Sequence, residues 1–199
     1  MTEYPQTQGG EKFSNFHSSG FFYVSCSEVT LTPSKIQVGE TQGLVIHNNI
    51  ANLISSTDMN CISAMQFAVE VLQVENIVLC GHYGCKGVTT AIEGCRLDFL
   101  GNWLLPVVKI ADKYKYLLED IVDKSQRIDV LCKLNVIEQV LNTCRNTVVQ
   151  EAWLRGQNLT VSGIIYDPQN GLMLDVHPPV DDSGSLKQAK DQALFALLN

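Results

Sequence analysis

The chain has 199 residues, of which 45 % are hydrophobic and 18 % charged, and 14 Lys+Arg against 21 Asp+Glu leave a net charge of −7. So much apolar content excludes global disorder, and the acidic balance without a basic run excludes nucleic-acid binding as a main role. No stretch reaches the ~18–20 apolar residues of a membrane span, and MTEYPQTQGGEKFSNFHSSG lacks the basic and apolar regions of a secretory signal. The expected location is the cytoplasm, with neither membrane nor nucleic acid as partner. There the seven cysteines stay reduced, and an odd number fits packing, metal or catalysis better than a disulfide framework.

In chain order, residues 1–20 read as a loose N-terminal arm, and 21–199 as a single domain. GFFYVSC is a short apolar, aromatic run expected to form a buried strand ending at Cys26. LTPSKIQVGE reads as loop, and GLVIHN as a second strand. Asp58 caps an expected helix to about Gln73, with Ile62, Met65, Ala68, Val71 and Leu72 near the helical period. ENIVLCGH is continuous in apolar residues, as a parallel strand covered on both faces should be, and Gly81 is expected to break it. A helix is expected to start near Gly84 or Cys85.

Two longer helices are expected over Leu100–Val122 and Arg127–Trp153. LTVSGIIYD and LMLDVH, separated by PQNG, read as a hairpin, and Ser185–Leu198 as an amphipathic helix. Alternating strands and helices imply an α/β fold: a mainly parallel central sheet with an antiparallel edge strand, flanked by helices.

The densest cluster of reactive side chains is Cys80-Gly81-His82-Tyr83-Gly84-Cys85-Lys86-Gly87, where a strand gives way to a helix. Open α/β sheets place their sites at the carboxyl ends of parallel strands. His82 and Cys85, three apart across a turn, can converge on one ion, and zinc takes thiolate and imidazole ligands. Cys26, at the end of another expected strand, is the natural third ligand, and Cys80 is held in reserve. The same residues also fit packed thiols and a hydrogen-bonded histidine. Cys61, Cys80, Cys95, Cys132 and Cys144 lie in helix or strand patterns without metal-ligand spacing and read as packing. His47 and His177 read as structural, and His17 as exposed.

HNNIANL, SAMQFAVEVLQVENIVLCGHYGCKGV, NWLL and LNVIEQV together resemble the beta-class carbonic anhydrases, particularly bacterial ones, over about Phe21 to Asp175. The resemblance implies a Zn2+ enzyme interconverting CO2 and bicarbonate, with Cys26, His82 and Cys85 as metal ligands. It also implies a homodimer or higher homo-oligomer.

Several positions depart from the family's pattern. Its first motif, Cys-x-Asp-x-Arg, reads Cys26-Ser27-Glu28-Val29-Thr30 here. In the family that Asp–Arg pair is catalytic, the arginine holding the carboxylate away from zinc. Glu28 therefore stands as the catalytic carboxylate, one methylene longer, while Thr30 lacks the charge and forked donors of arginine. Lys86 replaces a usual glycine; its ammonium either pairs with Glu28 or attracts bicarbonate, or simply points to solvent. The family's inhibitory anion site falls on Tyr23, Asn48 and Tyr166, where the usual arginine is missing. The leading functional reading is reversible CO2 hydration, weakened by the altered dyad. The alternatives are a catalytically deficient relative with a regulatory or oligomerisation role, and a COS or CS2 hydrolase keeping the zinc triad.

Overall fold

The computed structural model of the protein describes residues 20–29, 44–94 and 98–198. Residues 1–19, which include most of the expected arm and His17, residues 30–43, which include Thr30 and the expected LTPSKIQVGE loop, and Cys95 lie outside the described residues. Among the described residues five strands, β1 (Phe21–Cys26), β2 (Leu44–Asn49), β3 (Asn76–His82), β4 (Thr160–Tyr166) and β5 (Met173–Val180), form one sheet. Their order is β2-β1-β3-β4-β5. The first four are mutually parallel, and β5 alone runs antiparallel, against β4.

Composition explains which strand goes where. β1 and β3 are buried at every position, which only a strand between two neighbours and under two covered faces requires. β5 carries Pro178 and Pro179, which cannot donate to a ladder and therefore belong at an edge. The mainly parallel sheet with one antiparallel edge is the arrangement expected from the sequence.

The helices are α1 (Met59–Gln66), α2 (Lys86–Glu93), α3 (Asp98–Lys113), α4 (Lys115–Glu119), α5 (Lys124–Cys144), α6 (Thr147–Leu154) and α7 (Leu186–Leu198). Asp58 caps α1 as expected, accepting from the backbone N–H of Asn60 and Cys61 at 3.1 and 3.3 Å. The helical path then widens into a single π turn over Phe67–Val71 and stops at Gln73, which has a φ of 52°. Among the described helices none is long and apolar enough to cross a membrane.

Three sequence expectations need correction. The helix expected over Leu100–Val122 breaks at Tyr114 into α3 and α4. The one expected over Arg127–Trp153 breaks between α5 and α6. There the Asn146 side chain accepts from the Val148 N–H at 3.0 Å and opens a new helix, while Gln150 reaches back to the Cys144 carbonyl. Apolar periodicity runs on across both breaks, so pattern alone joins the pieces. Gly81, expected to end β3, lies inside it and pairs with Ile165.

The reason for Gly81 is tertiary. A Cβ built there would meet Val136 Cγ2 of α5 at 2.5 Å, and one at Gly163 of β4 would meet Val136 and Val140 at 2.8 and 2.9 Å. Bare backbone at both positions lets α5 lie directly on the sheet, and its apolar side joins the buried face of β1 and β3.

The far side of α5 is fixed by charge. Glu138, with its side chain 10 % exposed, accepts from Lys113 Nζ and Tyr114 Oη, each at 2.6 Å. Burial works against the ionised carboxyl, but the Lys113 and Tyr114 bonds outweigh it and hold its pKa below the usual value. A depressed folded-state pKa stabilises above the unfolded pKa and is lost as pH falls through the folded one. Glu138→Gln should therefore lower stability near neutral pH by about 1–3 kcal/mol. In urea unfolding at a series of pH values, the gap to the wild type should close as the medium becomes acidic.

Candidate metal centre

At the carboxyl edge of the sheet, β1 ends at Cys26 and β3 at His82. The chain leaves β3 through Tyr83 and Gly84 and enters α2 at Lys86, with Cys85 in the N-cap position. Gly84 has a φ of +64° and open space where a side chain would be, so the left-handed backbone alone calls for glycine there. Its N–H donates to Asp129 Oδ1 of α5 at 3.0 Å, which pins the turn.

The turn brings Cys85 back over Cys26. Their sulfurs lie 3.8 Å apart, and the two residues are only 2 % and 1 % exposed. One ligand atom each from Cys26, Glu28, His82 and Cys85 lies within 4.8 Å of all the others. His82 Nδ1 lies 3.0 Å from the Tyr83 carbonyl, an arrangement that puts the proton on Nδ1 and leaves the Nε2 lone pair free. Nε2 is buried with no hydrogen-bond partner among the described residues. Two sulfurs and an unpartnered imidazole nitrogen converging in a buried place form a donor set that suits zinc.

The sulfurs are unequal. The Cys85 thiol donating to Cys26, helped by His82 and backbone N–H groups, pulls the Cys26 pKa well down against the cost of burial. Cys85, as the donor and also buried, is pushed far up. Burial opposes charge on His82, yet the Cys26 thiolate and the Tyr83 carbonyl raise its pKa above the ordinary value.

Glu28, in the turn after β1, has a side chain 26 % exposed. Its Oε2 accepts the Lys86 backbone N–H at 2.8 Å and stands 3.7 Å from His82 Nε2. Lys86 Nζ lies 3.7 Å from Oε1, although the lysine side chain is 87 % exposed. The main-chain donor at the start of α2 is therefore the closer hold on this carboxylate. Cys80, the reserve ligand, does not join the group. It packs with Tyr23, Ile164 and Tyr166, and burial pushes its thiol up to about 12.

Residues that the sequence did not single out individually support the centre. The Ala51 N–H points at Cys26 Sγ at 3.3 Å, and this needs φ values of +65° at Ala51 and +46° at Asn52. Non-glycine residues in that region cost on the order of 1–2 kcal/mol each. Trp103 Nε1 holds the Ile50 carbonyl at 2.9 Å, Asn135 Nδ2 holds the Ala51 carbonyl at 2.8 Å, and Asn49 bonds both polar backbone groups of Leu53. Asn135 is itself oriented by Gln139, whose amide donates to it at 2.9 Å and accepts from the Ile54 N–H at the same distance. NWLL and LNVIEQV thus supply the struts of this loop. Of the suspected anion-site positions, Tyr23 and Tyr166 are buried, and Asn48 accepts from Ser25 Oγ at 2.6 Å.

The carbonic anhydrase family profile matches residues 21–173. This chain belongs to the beta-carbonic anhydrase family. It is 30 % identical over 160 residues to a carbonic anhydrase of Emericella nidulans, spanning 80 % of this chain and 70 % of that one. To a Candida albicans carbonic anhydrase it is 32 % identical over 151 residues, covering 75 % of this chain and 53 % of the relative. A Coccomyxa beta-carbonic anhydrase solved with acetazolamide superposes with a TM-score of 0.80 at 26 % identity, covering 93 % of this chain and 86 % of the other. Tetrameric beta-carbonic anhydrases from Sordaria macrospora reach a TM-score of 0.75 at 28 % identity, covering 82 % and 83 % of the two chains. The likeness to bacterial members thus extends to fungal and algal ones.

The loop struts can be tested without any assay of activity. Asn135→Leu leaves the buried Ala51 carbonyl and the Gln139 amide without their partner, so unfolding in urea should show a loss of about 2–4 kcal/mol.

Proposed function

We propose that the protein catalyses the reversible hydration of CO2 to bicarbonate and a proton, with Cys26, His82 and Cys85 holding Zn2+ and Glu28 as the catalytic carboxylate. The observation that carries this reading is the convergence of two buried sulfurs, the unpartnered His82 Nε2 and the Glu28 carboxylate. Zinc in such a site supplies a Lewis acid that brings the ionisation of water toward neutral pH.

The chain's own residues prepare the site. Tyr83 fixes the tautomer of His82, the Ala51 N–H steadies negative charge on Cys26, and the Lys86 N–H orients Glu28. Held in this way, the partly exposed Glu28 carboxylate is a proton acceptor beside the buried ligand group. Two thiolates neutralise the +2 charge and weaken the ion's acidity, so a positioned acceptor matters more than beside three neutral histidines. Lys86 takes over part of the charge role of the missing arginine, but an exposed pair at 3.7 Å contributes at most about 1 kcal/mol.

A second reading rests on the reach of Glu28. Its Oε2 stands 3.7 Å from His82 Nε2, close enough for the carboxylate to become a fourth ligand and slow turnover. No comparable observation favours COS or CS2 as substrate. Stopped-flow CO2 hydration with zinc-verified protein distinguishes the two readings. If Glu28 is the acceptor, Glu28→Gln should lower kcat/KM by about 10²–10⁴-fold. Lys86→Ala should lower it no more than about five-fold, because the backbone N–H remains. A rate that rises in Glu28→Gln would identify Glu28 as the closing ligand instead.

The same reading extends to assembly, with a homodimer or higher homo-oligomer in the cytoplasm, where thiols stay reduced. The Sordaria relatives are tetrameric, and here the β5 edge exposes Leu174, with Leu172 just before the strand. Light scattering at micromolar concentration should give a dimer or larger, and a monomer would contradict the proposal.

A further inference from the structure

A second convergence of ligand-type side chains lies away from this centre, between the β2 edge strand and the start of α1. One ligand atom each from His47, Asp58 and Cys61 lies within 4.8 Å of the other two. His47 is only 8 % exposed, and Cys61 is fully buried. His47 Nε2 is buried with no hydrogen-bond partner among the described residues. An imidazole nitrogen removed from water without a replacement partner is costly and calls for an occupant. The sequence placed both His47 and Cys61 in the packing, yet the structure sets them beside a carboxylate rather than in a wholly apolar surrounding.

We propose that His47, Asp58 and Cys61 form a second binding site for a zinc-class divalent ion, which fastens the β2 edge strand to the N-terminus of α1. Three features support it. Imidazole nitrogen, thiolate and carboxylate are the three donor types that zinc takes from proteins. One thiolate and one carboxylate balance a +2 ion, so the filled site adds no net charge to a largely buried place. Asp58 is already oriented, because its Oδ1 caps α1 through the Asn60 and Cys61 N–H groups, leaving Oδ2 for an ion. Its partial exposure gives the ion a way in.

The fold gives the site a purpose. His47 pairs in register with Val24, and Asn49 with Cys26, so a clip at His47 secures the strand that flanks the end of β1. The proposal shares no residue with the centre formed by Cys26, Glu28, His82 and Cys85.

The test uses the full-length protein, stripped by chelator, saturated with zinc(II), freed of excess by gel filtration and analysed for metal. The wild type should retain about two zinc ions per chain, and Cys61→Ala, Asp58→Asn and Cys85→Ser about one each. Asp58→Asn preserves the cap and the side-chain volume, so it remains informative if Cys61→Ala folds poorly. Cobalt(II) gives a second readout: thiolate-to-metal absorption should persist in Cys85→Ser and disappear when Cys61→Ala is added. About one zinc in both wild type and Cys85→Ser, with none in Asp58→Asn, would support this site and overturn the other. About one zinc in the wild type, lost in Cys85→Ser and kept in Asp58→Asn, would overturn the proposal. So would an equal count in wild type and Asp58→Asn.

Discussion

The close seating of α5 on the bare backbone of β3 and β4 is the contact on which the rest of the molecule depends. Gly81 and Gly163 present no Cβ, and Val136 occupies the space that side chains would have taken. This proximity brings Asn135 and Gln139, buried amides one helical turn apart, up to the loop after β2. They hold the Ala51 carbonyl and the Ile54 N–H, and the loop then keeps the strained backbone that aims the Ala51 N–H at Cys26. A buried polar network is worth its desolvation only when every member is satisfied, and here its bonds end on the sulfur of a candidate ligand.

Around the candidate centre, donors that can carry negative charge are gathered in a small buried space. Two sulfurs and the Glu28 carboxylate crowd together, and Lys86 reaches the carboxylate, at 3.7 Å, from a largely exposed side chain. The two sulfurs lie 3.8 Å apart in a buried place, and their mutual hydrogen bond pulls the Cys26 pKa down and pushes that of Cys85 up. A dication would be held by two sulfurs, an imidazole nitrogen and a carboxylate oxygen that the fold already brings within 4.8 Å of one another. Glu28 is held mainly by a main-chain N–H at the start of a helix, a donor that survives every side-chain substitution at that position except proline.

Much of this was legible in the sequence. Strand identity, the parallel sheet with its antiparallel edge and the Asp58 cap follow from local pattern and cap chemistry, which act over a few residues. His82 and Cys85 were readable together because one turn joins them, and Cys26 because neighbouring parallel strands end together. The helix breaks at Tyr114 and after Cys144 were not readable, since an apolar stripe continues across a kink whose causes are polar.

What only the tertiary structure decided concerns partners distant in the chain. Gly81 looks like a strand terminator until Val136 is seen against it, and the Lys86 side chain is largely exposed while its backbone N–H is what holds Glu28. Ala51 carries no signal of a left-handed backbone, because that conformation is imposed by Asn135 and Trp103 from other helices. His47, Asp58 and Cys61 likewise become a group only when β2 lies against α1. Sequence by itself determined the strands, the helical stretches though not their breaks, and the chemical types available, because these are local properties of the chain. Which side chains share a few ångströms of buried space was decided by folding, since that depends on how the elements pack.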